Sequence, residues 1–489
     1  MPDLRPMLPE LFLFAWAIVV LLFGISRKER SGDSLIYLTL VGLVITGILV
    51  PIAGYGNLFG GTFVVDKFAA FFQIVFLLAA FFAVASSHEL MKKLSADRGE
   101  FFALILLSTT GMMLLASTLE LITLYVSLEL TTIPLFVLAA YRKDQLGSSE
   151  AGLKYLILGA VSSAILLYGI SLVYGLTGTT FLQPAMSRLI EQSVPMLLAS
   201  GNVNTALVMA IVMMVAGFGF KLALVPFHMW APDVYEGAPT PITSFLSVAS
   251  KGAGVVAIAR VFYTALPAFH DVHWGTLVAV LAAAAMIVGN ITAVLQSNIK
   301  RMLAFSSIAH AGYVMVGFVA LPQGSIVPPY GPASLLFYMM AYLFANMGAF
   351  ACVIAFEKNY GSYQIKDYQG LSKNSPGLAI IMTLFLLSLA GIPPLAGFMA
   401  KYYVFLAGWQ QFPWLVIVGL LTSVIALFYY ANIIMQMYFS RGETSLTKAH
   451  YDRPLILTLI LTAVGTVAVG IYPEPILRFA TEAVKVFPF

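Results

Sequence analysis

Five ionisable side chains lie inside long apolar stretches of this chain, and they are the residues best suited to chemistry. Four are lysines and one is a glutamate: Lys154, Lys221, Lys251, Lys401 and Glu129. A charge at bilayer depth costs roughly 2.5–3.5 kcal/mol on insertion scales, so such residues are rare unless they have a function. Amines and carboxylates at that depth are typical of proton or ion relays.

The composition places these residues in a membrane. Hydrophobic residues make up 60% of the 489 residues and charged residues only 10%, whereas ordinary soluble domains carry about 25% charged residues. Apolar runs long enough to cross roughly 30 Å of hydrocarbon recur along the chain. We therefore predict an all-α polytopic membrane protein that forms a single membrane domain over residues 1–489. The net charge of +4 is attributed to loop bias, and no nucleic-acid partner is expected.

Cysteine and histidine usage argues against a metal or redox centre within the chain. Cys352 is the only cysteine, which excludes an internal disulfide framework and a cysteine-ligated iron–sulfur site. The six histidines show no metal-ligand spacing. Because the sequence also lacks a dinucleotide-binding motif, no cofactor is expected in this chain.

Hydropathy predicts fourteen spans, which puts both termini on one side of the membrane. The predicted spans are 8–25, 34–52, 68–87, 101–117, 121–141, 150–175, 205–232, 241–266, 274–295, 303–320, 333–355, 376–408, 413–438 and 454–472. One set of loops holds 16 lysines and arginines, the opposite loops and both tails hold 5, and 5 lie within spans, which accounts for all 26. The positive-inside rule then predicts both termini outside, in a bacterial cytoplasmic membrane.

Two spans contain proline deep in apolar sequence and are predicted to be broken. The seventh carries Pro226, and the twelfth carries Pro393 and Pro394. Proline removes a backbone donor and clashes with the preceding turn. Backbone groups freed at that depth must face protein or water, so each break predicts a hydrated cavity. Lys221 precedes the first break and Lys401 follows the second.

The broken spans also indicate an internal repeat. Ala223–Pro226 matches Ala390–Pro393, 167 residues later. Paired broken helices in two halves are typical of repeat transporter folds whose site lies at the break. Units of five spans predict two inverted antiporter-like repeats, at residues 101–266 and 274–438. Similarity outside this motif is weak, so the repeat is a hypothesis.

Several motifs resemble the antiporter-like membrane subunits of proton-pumping NADH:quinone oxidoreductase (respiratory complex I). They are Phe220–Pro241, Ser250–Lys251, Ile299–Tyr313 and Ser388–Pro394, and the resemblance covers essentially the whole chain. The stretch Pro232–Pro239 is similar to subunit N rather than to subunits L or M. Multisubunit cation/proton antiporters and membrane-bound hydrogenases share the scaffold and are the nearest alternatives.

The resemblance implies roles for the deepest residues. In the family, a glutamate on span five pairs with a lysine on broken span seven, and Glu129 and Lys221 match those positions. The alternative is a static ion pair that stabilises packing. Lys251 resembles the family's central connecting lysine, although alone it could snorkel to an interface. Lys401 matches the lysine of the second broken helix, with an interfacial anchor as its alternative.

Other polar residues have more open interpretations. Lys154 opens span six as either a relay residue or an ordinary positive-inside residue. His310 lies in span ten between the two half-sites, where it would carry a proton, anchor water or simply belong to the core. Asp233 and Glu236 end span seven, either as proton-attracting groups or as a solvated loop face. Arg260, near the outer end of span eight, is expected to snorkel.

The resemblance also implies which reactions belong to this chain and which to its partner subunits. NADH, FMN, iron–sulfur clusters and quinone would belong to partner subunits, and this chain would move protons without redox chemistry of its own. Its implied partners are the other membrane-arm subunits, including neighbouring antiporter-like subunits, and the lipid bilayer. Two alternatives remain open: a cation/proton antiporter subunit with no redox partner, and a scaffold that does not pump.

Overall fold

The computed structural model describes residues 3–26, 32–93, 98–183, 205–265, 274–321, 330–440 and 451–488. Within these stretches, thirteen helices are long and apolar enough to cross a membrane. A shorter apolar helix at Pro376–Ala390 opens the remaining predicted span, the twelfth. The predicted all-α polytopic fold is therefore confirmed.

The elements are numbered here in chain order. The helices are α1 (Leu8–Ser26), α2 (Gly32–Ala53), α3 (Lys67–Ser86), α4 (His88–Lys93), α5 (Arg98–Ala116), α6 (Leu121–Ala139), α7 (Leu146–Thr177), α8 (Thr205–Leu222), α9 (Trp230–Gly237), α10 (Thr240–Phe245), α11 (Lys251–Ala265), α12 (Trp274–Val294), α13 (Ile299–Val319), α14 (Tyr330–Tyr360), α15 (Leu371–Asn374), α16 (Pro376–Ala390), α17 (Ala396–Gly408), α18 (Pro413–Phe439), α19 (Arg453–Ile471) and α20 (Glu474–Val484). A π-helical turn, Leu246–Ser250, joins α10 to α11. The strands are β1 (Gly56–Leu58) and β2 (Phe63–Val65).

Ion pairs show which helix ends lie on the same face of the protein. The face that we call the basic face carries Lys92 and Lys358, whose ammonium groups lie 3.3 and 2.7 Å from the carboxylate of Asp452. On the opposite face, Lys67 at the start of α3 pairs with Glu482 of α20 at 3.0 Å. Each pair joins segments that fourteen crossings would put on the same side. The contacts thus agree with the predicted span count.

Two elements on the opposite face were not predicted. One is an antiparallel hairpin in which Gly56 pairs with Val65 and Leu58 with Phe63; strands of three residues are too short to give an alternating pattern. The other is α20, which follows the last span and packs on α3 and α14.

The most enclosed helices lie at the centre. The segment Thr240–Thr264 and helix α13 are buried along their whole apolar length, and α14 is almost as enclosed. By contrast, fewer than half of the residues in the apolar parts of α7 and α18 are buried. A helix that is apolar on all sides is stable only inside a larger protein or a membrane. The central helices thereby hold Lys251 and His310 away from the lateral surface.

Both predicted helix breaks are present. Helix α8 ends at Leu222 and α9 begins at Trp230, while α16 ends at Ala390 and α17 begins at Ala396. The residue after each first half has a positive φ, 56° at Ala223 and 92° at Gly391. The chain therefore turns out of the helix at matching points.

Backbone hydrogen bonds give the register between the two breaks. Both breaks contain an i→i−3 bond followed by an i→i−5 bond. The equivalent pairs are Ala223–Phe220 with Gly391–Ser388 and Leu224–Gly219 with Ile392–Leu387. These bonds superpose with an offset of 168 residues. The sequence match at 167 residues is therefore wrong by one position, because it aligned identical letters rather than equivalent backbone turns.

Candidate functional site

Lys221 lies against the helix that carries Glu129, without touching its carboxylate. The Lys221 Nζ donates to Thr132 Oγ1 at 2.9 Å, and Thr132 lies one turn after Glu129 on α6. The Glu129 Oε1 accepts instead from Ser163 Oγ on α7 at 2.6 Å. These two described residues are therefore neighbours held by separate partners, and they form no direct ion pair.

Close packing of α8 against α7 positions Lys221. A Cβ atom at Gly217 would lie 2.6 Å from the Cβ of Leu166, so only glycine permits this approach. Lys221 follows one helical turn later and is buried. Its Cβ lies 3.3 Å from the position that a Cβ at Gly254 of α11 would occupy. Lys221 thus contacts the helix that begins with Lys251.

Lys251 is the first residue of α11 and directly follows the π-helical turn. Its ammonium donates to the backbone carbonyl of Ser307 on α13. Only 4% of the residue is exposed, so it does not snorkel. Single π-helical turns occur often at functional sites, because they redirect the side chains that follow.

Lys251 and His310 line one small cavity. Tyr342 supplies a third polar side chain, and the rest of the wall is apolar: Leu222, Val255, Ala311, Val314 and Met339. The cavity has room for about one water molecule. Leu222 is the last residue of α8, so this cavity adjoins the first helix break. The surface that the cavity exposes is apolar, so the hydration predicted at the break stays a prediction.

His310 is bound by tyrosines that sequence reasoning missed. Its Nδ1 lies 2.6 Å from the hydroxyl of Tyr338 on α14. Its Nε2 lies 3.4 Å from the hydroxyl of Tyr430 on α18, which in turn bonds Ser306 Oγ. The sequence did contain a signal for these partners. Tyrosines occur inside otherwise apolar spans, and a buried hydroxyl usually has a hydrogen-bond partner.

Lys401 is buried at the second break and is not an interfacial anchor. Its Nζ donates to the carbonyl of Ala390, the last residue of α16, at 2.9 Å. The same atom lies 4.8 Å from the ring centroid of Tyr313 on α13. At the first break the carbonyl of Phe220 accepts from Trp230 Nε1 at 2.9 Å in addition to its backbone bond from Ala223. Protein donors therefore meet the backbone groups at both breaks.

Helix α13 connects the central lysine to the last one. Ser307, His310 and Tyr313 are spaced by three residues and lie along one side of the helix. Ser307 binds Lys251, and the Tyr313 ring faces Lys401. We call the succession Lys221, Lys251, His310 and Lys401 the buried row. Buried amines and imidazoles of this kind are typical of proton or ion relays.

Lys154 lies apart from the buried row. Its side chain is 42% exposed and pairs with Glu150 and Asp233, each at 2.7 Å. Arg301 contacts both Asp233 at 2.8 Å and Glu236 at 2.9 Å. Burial alone would raise the pKa of Asp233, but hydrogen bonds from Lys154 and Arg301 hold it below its usual value. These acids are thus engaged by cations near the end of α9.

The prediction that Arg260 snorkels is wrong. Only 1% of the residue is exposed. Two guanidinium nitrogens bind the two carboxylate oxygens of Asp66 at 2.8 and 2.9 Å, and Nε donates to Ala116 O at 2.9 Å. A bidentate partner within reach satisfies the guanidinium without solvent. The pair ties α11 to the start of α3.

Lys300 is a second cation whose environment the sequence did not reveal. The count of loop lysines and arginines includes Lys300, but the residue is buried in the structure. Its Nζ donates to the carbonyls of Glu236 at 2.8 Å and Ala238 at 2.7 Å. It therefore satisfies carbonyls at the end of α9 and holds the second half of the broken helix in place.

Comparisons with known proteins agree with this architecture. The family described as NADH:quinone oxidoreductase/Mrp antiporter, TM matches residues 118–426. The chain is 43% identical over 488 residues to NADH-quinone oxidoreductase subunit N of Trichlorobacter lovleyi, which covers 99% of this chain and 97% of that protein. It is 43% identical over 495 residues to the subunit of the same name from Desulfitobacterium hafniense, covering 97% of each.

Solved structures give the same result. A chain of respiratory complex I from Thermus thermophilus, solved with bound aureothin, superposes with a TM-score of 0.78 at 30% identity, covering 96% of this chain and 99% of that one. A chain of the Mrp complex from Dietzia sp. superposes with a TM-score of 0.81 at 20% identity, covering 100% and 98%. At that identity the second likeness shows the fold alone.

Fold and buried row together define a polytopic membrane protein of the antiporter-like class. The chain belongs to the NADH:quinone oxidoreductase/Mrp antiporter family. Within the family, the predicted resemblance to subunit N is confirmed by relatives of that name that match over nearly their full length.

Proposed function

We propose that this chain is a proton-translocating membrane-arm subunit of an NADH:quinone oxidoreductase. The observation that carries the proposal is the buried row, in which each amine or imidazole is buried inside the protein. Lys251 is bonded to α13, and α13 also carries His310 and the ring beside Lys401. Ionisable groups that are expensive to bury are retained at such depth where they carry ions or protons.

The separation of Glu129 from Lys221 gives the proton path a point at which transfer is controlled. Glu129 bonds Ser163 and Lys221 bonds Thr132. Coulomb interactions strengthen steeply at short range in a medium of low dielectric constant. A shift of the carboxylate from Ser163 toward Lys221 would therefore change how firmly Lys221 holds its proton, and this would start transfer along the row toward Lys401.

The redox reactions that the family resemblance implies belong to partner subunits. We propose that NADH, FMN, iron–sulfur clusters and quinone act in other subunits and that this chain holds no cofactor. Its partners would be other membrane-arm subunits, including neighbouring antiporter-like ones, and the surrounding lipid. The exposed apolar faces of α7 and α18 suit such neighbours.

We also propose that residues 101–266 and 274–438 are inverted repeats within one membrane domain, 1–489. The matching backbone hydrogen bonds of the two breaks support this. Helix α8 runs toward the basic face, where Asp233 meets Lys154, whereas α16 starts near that face, where Tyr360 meets Ser375. Opposite directions are expected of inverted repeats.

We further propose a bacterial cytoplasmic membrane as the location, with the basic face toward the cytoplasm and both termini outside. The excess of loop lysines and arginines on one set of loops supports that orientation. Lys154, near the basic face, would then lie on the uptake side of the path.

The test uses inverted membrane vesicles that carry Lys221→Ala in the assembled complex. Lys366→Ala, at an exposed lysine outside the buried row, is the matched control. We expect NADH-driven proton uptake and NADH:quinone reductase activity to fall together by about tenfold or more in Lys221→Ala only, as for loss of a positioned proton-transfer group. Wild-type values for both in an assembled complex would overturn the proposal.

A cation/proton antiporter subunit is the second candidate, favoured by the shared fold of the Mrp chain. Proton movement would then follow an imposed sodium gradient without NADH. Vesicles tested with each driving force separate the two functions.

A further inference from the structure

We infer that Tyr313 is a positioning residue for Lys401, and that its ring is the counter-group that the second half uses where the first half has Glu129. The inference rests on the proposed function, because it assigns a role within the same proton path. It concerns the ring rather than the hydroxyl of Tyr313.

Lys401 has an unusual environment for a buried amine. Its Nζ contacts the Ala390 carbonyl at 2.9 Å and the face of the Tyr313 ring at 4.8 Å. Across the described stretches, no carboxylate lies within ion-pair distance of this atom. A buried ammonium without compensation is costly. An aromatic face attracts a cation through its quadrupole, most strongly where water is excluded. The ring and the carbonyl together therefore stabilise the ammonium.

The lysine stem leaves little freedom in where the ammonium lies. A Cβ atom at Gly391 would lie 3.0 Å from Lys401 Cδ. Gly391 also has a φ of 92°, a conformation that favours glycine. The stem thus passes directly over this turn to reach Ala390. The ammonium is consequently confined between the end of α16 and the ring.

The ring itself is fixed by bonds from two other helices. Asn290 Nδ2 on α12 donates to the Tyr313 hydroxyl at 3.0 Å, and that hydroxyl donates to Thr422 Oγ1 on α18 at 3.3 Å. The hydroxyl of Tyr429 in turn donates to Asn290 Oδ1 at 3.1 Å. A buried and satisfied network of this kind holds one orientation. The ring face is therefore presented to Lys401 before any proton arrives.

Tyr313 also sets where Lys401 joins the row. It lies one turn beyond His310 on α13, and the two rings meet edge to face with centroids 5.7 Å apart. The Tyr313 ring thus keeps the Lys401 ammonium on the side of His310, the preceding group of the buried row. Displacing it would lengthen the last transfer step.

The test is a graded change of the ring at constant size. The complex would carry Tyr313→Phe and then phenylalanine analogues with one, two and three ring fluorines at position 313. Fluorine weakens the negative ring face with little change in volume, so a cation–π role predicts a stepwise fall in NADH-driven proton uptake. Tyr313→Phe keeps the ring but loses the hydroxyl bonds, so it is the reference for the fluorine series and should lose far less uptake than Tyr313→Leu.

Tyr313→Leu removes the ring and is compared with Tyr263→Leu. Tyr263 is also buried, stacks on Phe318 with centroids 5.0 Å apart, and lies outside the buried row. We expect Tyr313→Leu to lower NADH-driven proton uptake by about three- to thirtyfold, the range for loss of a desolvated cation–π contact. Tyr263→Leu should lower it far less.

Two results would overturn the inference. One is a flat fluorine series. The other is a loss in Tyr313→Phe as large as that in Tyr313→Leu, which would assign the effect to the hydroxyl. Lys401→Ala distinguishes the two proposals: if it pumps like the wild type, the proposed function fails, whereas if it stops pumping and the fluorine series is flat, only the role of Tyr313 fails. The fluorine series needs no packing change, so it remains decisive if Tyr313→Leu does not assemble.

Discussion

Lys251 donates a hydrogen bond to the backbone carbonyl of Ser307, one helical turn before His310 on the same helix. The central lysine is thus attached to α13 through an atom that no side-chain substitution removes. It shares a cavity with His310, and the next turn of the helix carries the ring over which Lys401 lies. The two halves of the chain meet along this helix.

The hydrogen bond between Lys251 and Ser307 predicts different effects for substitutions of the two residues. Lys251→Ala should lower NADH-driven proton uptake by about tenfold or more, since it removes a proton-transfer group. Ser307→Ala should leave uptake near wild type, because Lys251 binds the backbone carbonyl and the hydroxyl makes a long contact of 3.5 Å with Tyr235. Vesicle assays of both variants check this. A severe defect in Ser307→Ala would mean that the hydroxyl itself takes part.

Lys154 should matter less than the buried lysines. Its ion pairs with Glu150 and Asp233 are half-exposed, and water can replace such contacts at little cost. We expect Lys154→Ala to reduce proton uptake several-fold less than Lys221→Ala measured in the same vesicles. Equal losses would place Lys154 among the essential carriers.

The Arg260–Asp66 pair should contribute to stability rather than to transport. Arg260→Leu leaves the Asp66 carboxylate, which is 14% exposed, without its partner, so it should lower the free energy of unfolding by up to about 3–5 kcal/mol, the cost for a fully buried pair. Thermal unfolding in detergent would measure this loss. Since both residues belong to one contact, Asp66→Asn in the Arg260→Leu background should cost less than it does alone. Strict additivity would show that the pair is not coupled.

The cluster around Asp452 predicts a loss of stability in acid. Burial alone would raise the pKa of Asp452, but hydrogen bonds with Glu89, Lys358 and His88 hold it well below its usual range. A carboxyl whose pKa is lowered by folding stabilises the protein above its unfolded pKa of about 3.9, and that contribution is lost as the pH falls through the folded pKa.

We therefore expect α19 to loosen from α4 and α14 below about pH 4. Asp452→Asn should be less stable than the wild type at neutral pH, and the difference should shrink in acid. Thermal unfolding of both proteins between pH 3 and pH 7 checks this. A difference that stays constant across that range would contradict the assignment.

Some of these features follow from the sequence because they depend on local chemistry. The depth of Lys221, Lys251 and Lys401 comes from the apolar residues on either side of each. The breaks were predicted from Pro226 and Pro394, because proline removes a backbone donor and clashes with the preceding turn. The fourteen crossings likewise follow from segment length against bilayer thickness.

Other features depended on which helices pack together, and no local pattern encodes that. Glu129 was expected to pair with Lys221, yet each has a different partner, because α7 presents Ser163 to one and α6 presents Thr132 to the other. Arg260 was expected to reach solvent, but Asp66, distant in sequence, lies within its reach.

The sequence by itself determined the membrane fold, the two breaks and the identity of the buried amines, since hydropathy and backbone chemistry act over a single span. Only the tertiary structure decided what each amine touches. Ser307 and Tyr313 gained their roles because α13 crosses between the helices that carry Lys251 and Lys401. Such contacts arise from packing between residues far apart in the chain, and packing is a property of the assembled helices.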